Sequence, residues 1–311
     1  MNSCYFCHAN KNTLNATQTT SLSFFEGITA SLRNYAALVK VRLTLLVVFS
    51  AVAGYFIAAP SFDIIKFLAV VFGGFMVTGA SNTLNQILEK DSDKLMVRTQ
   101  NRPLPANNMS LWEAMIFGLI MAFAGITILW FFLNPLSGLL GTMALVMYAG
   151  IYTPMKKASS WAVFVGAFPG AIPPMLGYVA ETGQFGLYPG LLFAIQFIWQ
   201  FPHFWAIAWV SHGEYKKAGM HLLPSAGGKD KSSAFQMLVY SLFLLPLGLT
   251  PFIFGMSGII SAVIITLCGI GFSYYAAQLL KNLNDKAALK LMFASFVYLP
   301  VVQIALWIDK I

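Results

Sequence analysis

Three polar residues, Asn85, Glu89 and Asp93, follow one another at intervals of four at the end of a long apolar run. On a helix this spacing places one amide and two carboxylates along one face. Oxygen ligands of this kind suit Mg²⁺ held together with a phosphate substrate. Arg98 and Arg102 come next, and guanidinium groups make forked contacts with phosphate oxygens. The stretch predicts a metal–diphosphate site; the alternative is a solvated cap of mixed charge on a helix end.

Two further charged stretches lie in connections expected on the same side of a membrane. One contains Glu214 with Lys216 and Lys217, and the other, YTPMKK, contains Tyr152 and Lys156. Acids and cations on one face are what a metal-bridged diphosphate requires, because the metal neutralises the leaving group and the cations hold its outer oxygens. The predicted catalytic residues are Asn85, Glu89 and Asp93, and the predicted diphosphate-binding residues are Arg98, Arg102, Tyr152, Lys156, Lys216 and Lys217.

An aromatic stretch, FIWQFPHFWAIAW (197–209), contains three Trp, three Phe, Gln200 and His203. Together with the Gly- and Pro-rich run 166–177 it predicts a large, aromatic-walled cavity within the membrane. His203 has two interpretations: a core histidine bonded to a neighbouring helix, or a substrate contact, proton shuttle or iron ligand. His212 and His221 are weaker candidates. The spans otherwise carry almost no charge, which argues against an ion pump.

These groups must be positioned by membrane helices. The chain of 311 residues is 58% hydrophobic and 10% charged, whereas a soluble domain is about a quarter charged. Apolar runs of about 20 residues recur, the length that a helix needs to cross a bilayer. We predict an all-α integral membrane protein with nine spans around a central cavity, at 42–60, 64–86, 112–133, 136–152, 161–180, 187–210, 234–253, 257–279 and 287–308. Residues 41–311 form one transmembrane domain after a polar tail, 1–40.

The distribution of Lys and Arg predicts the orientation. Seventeen of the 19 lie in the N-terminal segment, in even-to-odd connections or at the span ends beside them, and only Lys66 and Lys310 fall on the other side. The positive-inside rule then places the N-terminus in the cytoplasm and the C-terminus outside, in a bacterial plasma membrane with a cytoplasmic active site. Because the basic residues sit at membrane edges, the net charge of +8 does not indicate nucleic-acid binding.

The N-terminal tail contains CYFCH (4–8), which matches the haem-attachment pattern C-x-x-C-H. Attachment of that kind occurs outside the cytoplasm, so we interpret the motif as part of an unstructured tail. The tail opens polar and does not resemble a signal peptide. Residues 23–42 are predicted to form an interfacial amphipathic helix that leads into span 1.

The motifs resemble those of the UbiA superfamily of intramembrane prenyltransferases over roughly residues 30–308. The pattern N-x-x-x-D-x-x-x-D appears as Asn85, Glu89 and Asp93, with Glu89 in place of the usual Asp. The stretches NQILEKDSDKLMVRTQNRPLP, YTPMKK, WQFPHFWAIAW and EYKKAGMHLLP are similar, in this order, to those of the branch that farnesylates protohaem. Glu214 stands where that branch has Asp, and Ala218 replaces the second acid of the motif. The resemblance adds Glu214 to Asn85, Glu89 and Asp93 as metal ligands.

The resemblance implies an Mg²⁺-dependent enzyme that transfers a farnesyl group from farnesyl diphosphate to the 2-vinyl group of haem B, with addition of water, to give haem O. It implies haem contacts by Trp199, Gln200 and His203, and haem A synthase as a partner beside the lipid bilayer. Two alternatives remain open. A sister enzyme would use a quinone precursor or chlorophyllide as acceptor, and a haem or lipid transporter would show repeats with broken helices.

Overall fold

The computed structural model describes residues 29–311, which contain nine helices long and apolar enough to cross a membrane. A short helix over residues 29–39 precedes them and contains part of the predicted interfacial helix. The CYFCH motif lies outside the described residues. The all-α, nine-span prediction is confirmed. Spans 1 to 9 are Val41–Ala58, Ile64–Leu88, Leu111–Phe132, Pro135–Ala158, Ala162–Thr182, Leu187–Val210, Lys231–Ile253, Ile259–Asn282 and Asp285–Ile308.

Polar side chains set the start of five spans. In each case an oxygen of the residue before the helix accepts a hydrogen bond from a backbone N–H of the first turn, which has no partner within the helix. Asp230, for example, accepts from Ser233 N, so span 7 begins at Lys231 rather than at the predicted residue 234. The five caps are Asp63, Ser110, Asn134, Asp230 and Asn284.

Span 4 consists of three helical pieces, an α-helix over Pro135–Leu145, a π-helix over Val146–Tyr152 and an α-helix over Thr153–Ala158. Pro154 has no N–H to donate to the carbonyl of Gly150, which explains why the regular α-helical pattern is interrupted here. The predicted connection 153–160 is therefore wrong, since only residues 159–161 separate spans 4 and 5. As a result, Lys156 lies on the membrane helix itself.

The spans pack as a closed ring in which consecutive spans are neighbours and span 9 returns to spans 1 and 6. Spans 5 and 6 are the most buried. Spans 1 and 5 approach backbone to backbone, because a Cβ on Gly54 would lie 2.0 Å from Pro174 O and one on Gly177 would lie 1.8 Å from Ala51 O. Small residues permit such close crossings in membrane bundles.

A chain of buried hydrogen bonds links four spans. Pro174 cannot donate to the carbonyl of Gly170, and Gln196 Nε2 donates to that oxygen instead, at 2.6 Å. Gln196 Oε1 accepts from Gln303 Nε2 at 2.9 Å, and Gln303 Oε1 accepts from Ser50 Oγ at 3.2 Å. The amides thus form hydrogen bonds with one another and with a backbone carbonyl that has no partner within its own helix. They line a narrow cavity between spans 5, 6 and 9 together with aliphatic side chains.

The bundle has two chemically different ends. The site end comprises residue 40 and the connections 89–110, 159–161, 211–230 and 283–284, together with the helix ends that border them. At the opposite end Lys66 pairs with Glu181 at 3.1 Å, and Lys310 Nζ donates to Phe56 O at 2.7 Å and to Ala59 O. Large apolar side chains such as Phe123 and Phe131 face outwards between the ends, as expected of an integral membrane protein.

Candidate active site

The column of Asn85, Glu89 and Asp93 keeps its helical spacing beyond the end of span 2. Span 2 ends at Leu88 and a short helix follows over Lys90–Asp93, but Glu89 N still donates to Asn85 O and Asp93 N to Glu89 O. All three side chains are buried, with Asn85 and Asp93 at 1% exposure and Glu89 at 6%. Burial of this degree argues against a solvated helix cap.

Three cations surround this column, each from a different part of the chain. Arg102 Nη1 lies 2.6 Å from Asp93 Oδ2. Lys156 Nζ lies 3.0 Å from Glu89 Oε1 and 4.5 Å from the centre of the Tyr152 ring. Moving carboxylates and positively charged side chains out of water costs free energy. A buried cluster of this composition therefore suggests a function beyond stability.

The third cation is Lys40, a site residue that no local sequence pattern indicates. Lys40 Nζ donates to Asn85 Oδ1 at 3.0 Å. Its backbone adopts the left-handed conformation, with φ of 49°, at the step from the leading helix into span 1. A non-glycine residue is strained there. Burial lowers the pKa of Lys40 to about 7, with Arg102 and Lys156 acting in the same direction and the carboxylates of Glu89 and Asp93 opposing them.

The oxygen atoms of the column fit a divalent cation. Asn85 Nδ2 donates to Thr153 Oγ1 at 3.1 Å, which turns the amide oxygen towards the charged groups. Asp93 Oδ1 is buried and has no hydrogen-bond partner among residues 29–311, although buried polar atoms are almost always paired. Mg²⁺ commonly takes one or two carboxylates and completes its coordination with substrate phosphates and water. Asn85, Glu89 and Asp93 supply such a set.

Glu214, expected as a further metal ligand, has a different setting. Its carboxylate accepts a hydrogen bond from Val97 N at 2.6 Å and lies 3.4 Å from Lys217 Nζ. Although desolvation opposes ionisation, these contacts lower the pKa of Glu214. In the part of the chain that the structure describes, no three His, Cys, Asp or Glu side chains converge as a metal site. The bond to Val97 N joins the connection after span 2 to the one after span 6, and the metal role of Glu214 stays a prediction.

The other predicted diphosphate-binding residues lie at the outer edge of the site end. Arg98 is exposed and donates to the hydroxyl of Tyr215 at 3.3 Å, with its guanidinium 5.6 Å from that ring. Lys216 and Lys217 are exposed on the short helix His212–Lys217. The structure thus separates an inner group of cations, which touches the column, from an outer group, which does not.

The predicted haem contacts on span 6 divide between two sides of the helix. Trp199 stacks on His203, with 4.4 Å between ring centres and an interplanar angle of 18°. Gln200 faces span 5, where its Nε2 donates to Ala167 O at 3.1 Å. Trp199 and His203 instead contact span 9 through Ser295. The structure brings Trp199 and His203 together and places Gln200 apart from them.

Comparison with known proteins agrees with these observations. Residues 47–298 match the UbiA prenyltransferase family. The chain is 50% identical to the protoheme IX farnesyltransferase of Cytophaga hutchinsonii over 278 residues, covering 89% of this chain and 97% of that protein. It is 44% identical to the protoheme IX farnesyltransferase of Christiangramia forsetii, covering 90% of this chain and 94% of that protein.

Solved structures share the fold. A digeranylgeranylglyceryl phosphate synthase superposes with a TM-score of 0.75 at 23% identity, covering 89% of this chain and 98% of that one. A UbiA homologue from Archaeoglobus fulgidus bound to DMAPP and Mg²⁺ superposes with a TM-score of 0.67 at 16% identity, covering 88% and 98%. At these identities the likeness concerns the fold alone.

Proposed function

This chain belongs to the UbiA prenyltransferase family, and we propose that it transfers the farnesyl group of farnesyl diphosphate to the 2-vinyl group of haem B. Water supplies a hydroxyl group in the same reaction, and the products are haem O, diphosphate and a proton. The observation that carries this proposal is the likeness, over nearly the whole chain, to relatives that are protoheme IX farnesyltransferases. The buried column and its cations supply the diphosphate half of the chemistry.

The inner charges match a prenyl diphosphate. The net charge of the inner group is +1 when all three cations are protonated. Its positive charges come from Lys40, Arg102 and Lys156, and its negative charges from Glu89 and Asp93. Mg²⁺ held by Asn85, Glu89 and Asp93 would add two more and would stabilise the departing diphosphate. A prenyl diphosphate carries about three negative charges at neutral pH, so the complete site is close to neutral. Such a preorganised arrangement favours ionisation of the allylic C–O bond.

The inner cations change partners when the substrate binds. Arg102 and Lys156 are paired with the carboxylates in the structure described here. With Mg²⁺ held by those oxygens, both side chains would be free to donate to the diphosphate, and the guanidinium of Arg102 is suited to forked contacts with phosphate oxygens. Arg98, Lys216 and Lys217 lie further out and attract the anionic substrate to the site end.

The acceptor half of the reaction takes place among the spans. The farnesyl chain is apolar and lies within the bundle. The aromatic faces of span 6 attract the allylic cation, a contact that contributes about 2 kcal/mol when it is desolvated. The vinyl group of the porphyrin attacks that cation, and water captures the new cation beside the ring. Trp199 and His203 contact the haem in this proposal.

The site end lies on the cytoplasmic side of a bacterial plasma membrane in this proposal. Lys40, Lys156, Lys216 and Lys217 are all at the site end, whereas Lys66 and Lys310 are at the opposite end, and the positive-inside rule places the richer side in the cytoplasm. Haem O then passes to haem A synthase as the next enzyme. In a variant whose three native cysteines are replaced by serine, a cysteine introduced at exposed Gly213 should react with membrane-impermeant maleimide only in inside-out vesicles, whereas one at Ser61 should react only in right-side-out vesicles.

One assay tests the proposed activity. Purified protein in lipid is incubated with haem B, Mg²⁺ and farnesyl diphosphate, and the haem is analysed by mass spectrometry. We expect a product heavier than haem B by one farnesyl and one hydroxyl group, with the oxygen derived from labelled water. A quinone precursor offered in a parallel reaction should remain unmodified. Farnesylation of that precursor with haem unchanged would contradict the proposal.

A further inference from the structure

Ser295 of span 9 is hydrogen-bonded to both aromatic residues of span 6 that are proposed to contact haem. Ser295 Oγ lies 2.7 Å from His203 Nδ1, and Ser295 O accepts a hydrogen bond from Trp199 Nε1 at 3.1 Å. Trp199 also stacks on the imidazole of His203. The ring of His203 is therefore fixed by one hydrogen bond and one stacking contact, both tied to the same residue of the neighbouring span.

The hydrogen bonds around Ser295 determine which nitrogen of His203 carries the proton. Ser295 Oγ lies 2.5 Å from Met292 O. A carbonyl oxygen can only accept, so the single hydroxyl proton of Ser295 points to Met292. Towards His203 the hydroxyl oxygen must then accept, and Nδ1 must be the protonated nitrogen. The lone pair of neutral His203 lies on Nε2 as a consequence.

His203 Nε2 has no hydrogen-bond partner among residues 29–311, and the residue is 8% exposed. The ring lies at the seam between spans 6 and 9, beside Phe204 and Phe296. Phe296 is 44% exposed on the outer surface of the bundle. The outer side of the seam therefore borders the bilayer, and the apolar face of a porphyrin approaching from there would reach His203 by displacing Phe296.

We propose that Ser295 is a positioning residue that holds His203 with Nε2 ready to bind the iron of haem. The inference rests on the proposed function, because it concerns the haem acceptor of that reaction. A histidine that binds a metal through one nitrogen nearly always donates its other N–H to a fixed acceptor, which orients the ring and raises its basicity. Ser295 Oγ is that acceptor here, and Trp199 prevents the ring from rotating.

The test measures haem binding by the purified full-length protein without farnesyl diphosphate. His203→Ala should lose the absorption bands of imidazole-ligated haem, and added imidazole should restore them. Ser295→Ala should weaken haem binding by about 10- to 100-fold and broaden the same bands, whereas Ser295→Thr, which keeps the hydroxyl, should behave like the wild type. Ser241→Ala is the matched control, since Ser241 is an equally buried span serine whose hydroxyl bonds only Met237 O of its own helix.

Metal-free protoporphyrin IX separates ligation from packing. Binding of this porphyrin should be equal in the wild type, His203→Ala and Ser295→Ala, because it has no iron to ligate. Equal weakening for haem and for the metal-free porphyrin would overturn the inference in favour of a structural role. Unchanged haem bands in His203→Ala would overturn it as well. If those variants behave in this way while the wild type still forms haem O, the ligand assignment fails and the proposed function stands.

Discussion

The two ends of the bundle both carry charges at helix ends, but they differ in how completely those charges are matched. At the opposite end, Lys66 faces Glu181, and Lys310 binds carbonyl oxygens of span 1. At the site end, three cations meet two buried carboxylates, and Asp93 Oδ1 has no partner in the described chain. The incompletely paired set at the site end is the arrangement expected of a site that binds a charged ligand.

The same contrast separates charged groups within the site end. Glu89 and Asp93 are buried among cations, whereas Glu214 fixes a backbone N–H near the surface. Acidic residues follow both span 2 and span 6, yet they differ in burial and in contacts. Activity and stability are separate measures of these groups, because loss of a ligand contact lowers activity most and loss of a structural contact lowers stability most.

The largest effect is expected for Asp93→Asn. This change keeps the size of the side chain and removes its charge, so haem O formation should fall by about 100-fold or more, the scale of losing one electrostatic contact to a transition state. The thermal unfolding temperature in detergent should fall as well, because the change leaves Arg102 without the carboxylate with which it pairs, so rates are compared at equal amounts of folded protein. Initial rates and unfolding curves measure both quantities. An active Asp93→Asn enzyme would exclude the metal assignment.

The next effect concerns Lys40 and pH. Since burial lowers the pKa of Lys40 to about 7, the ammonium group is lost as the pH rises through that value in the free enzyme. The KM for farnesyl diphosphate should therefore increase by about 10-fold between roughly pH 6 and 9, as one charge contact to the substrate is lost. Lys40→Arg stays charged over this range and should have a flatter profile. Identical profiles would contradict a diphosphate role for Lys40.

A smaller effect is expected for Glu214→Gln. The amide oxygen can still accept from Val97 N, so activity should fall by only about 2- to 5-fold, as for the loss of one charge-assisted hydrogen bond near the surface. The Mg²⁺ concentration for half-maximal activity should remain that of the wild type. A rise of that concentration by an order of magnitude would show instead that Glu214 belongs with Glu89 and Asp93 as a metal ligand.

The smallest effect on catalysis is expected at the opposite end. Glu181→Gln removes a partly exposed ion pair with Lys66, and pairs of this kind contribute about 0.2–1 kcal/mol to stability. Unfolding in increasing denaturant should reveal that loss, while haem O formation stays unchanged. A substantial loss of activity in this variant would mean that the two ends are not independent.

Most of the fold could be predicted from sequence, because the length of each apolar run is dictated by the bilayer. Span 3, for example, is predicted at 112–133 and occurs at Leu111–Phe132.

The predicted and observed ends of a span differ where a local feature alters the helix. Asp230 begins span 7 early, and the π-helix before Pro154 lets span 4 continue to Ala158.

The candidate site was predictable only in part. The spacing of Asn85, Glu89 and Asp93 is a local pattern and could be recognised. Lys40 lies 45 positions from Asn85, and Ser295 lies 92 from His203. Such pairs meet through tertiary packing, and a single lysine before a span or a serine within one carries no local signal. The feature that could have drawn attention to Lys40 is its position beside span 1 on the charge-rich side.

The contact of Lys310 with span 1 can form only late in the synthesis of the protein. Span 1 emerges from the ribosome first, yet the carbonyl oxygens of Phe56 and Ala59 at its end receive the Lys310 ammonium only about 250 residues later. Until then, those oxygens depend on water or lipid head groups. The last turn of span 1 therefore gains these hydrogen bonds only after spans 2 to 9 have been synthesised. The ring of spans can be completed only when translation reaches Lys310.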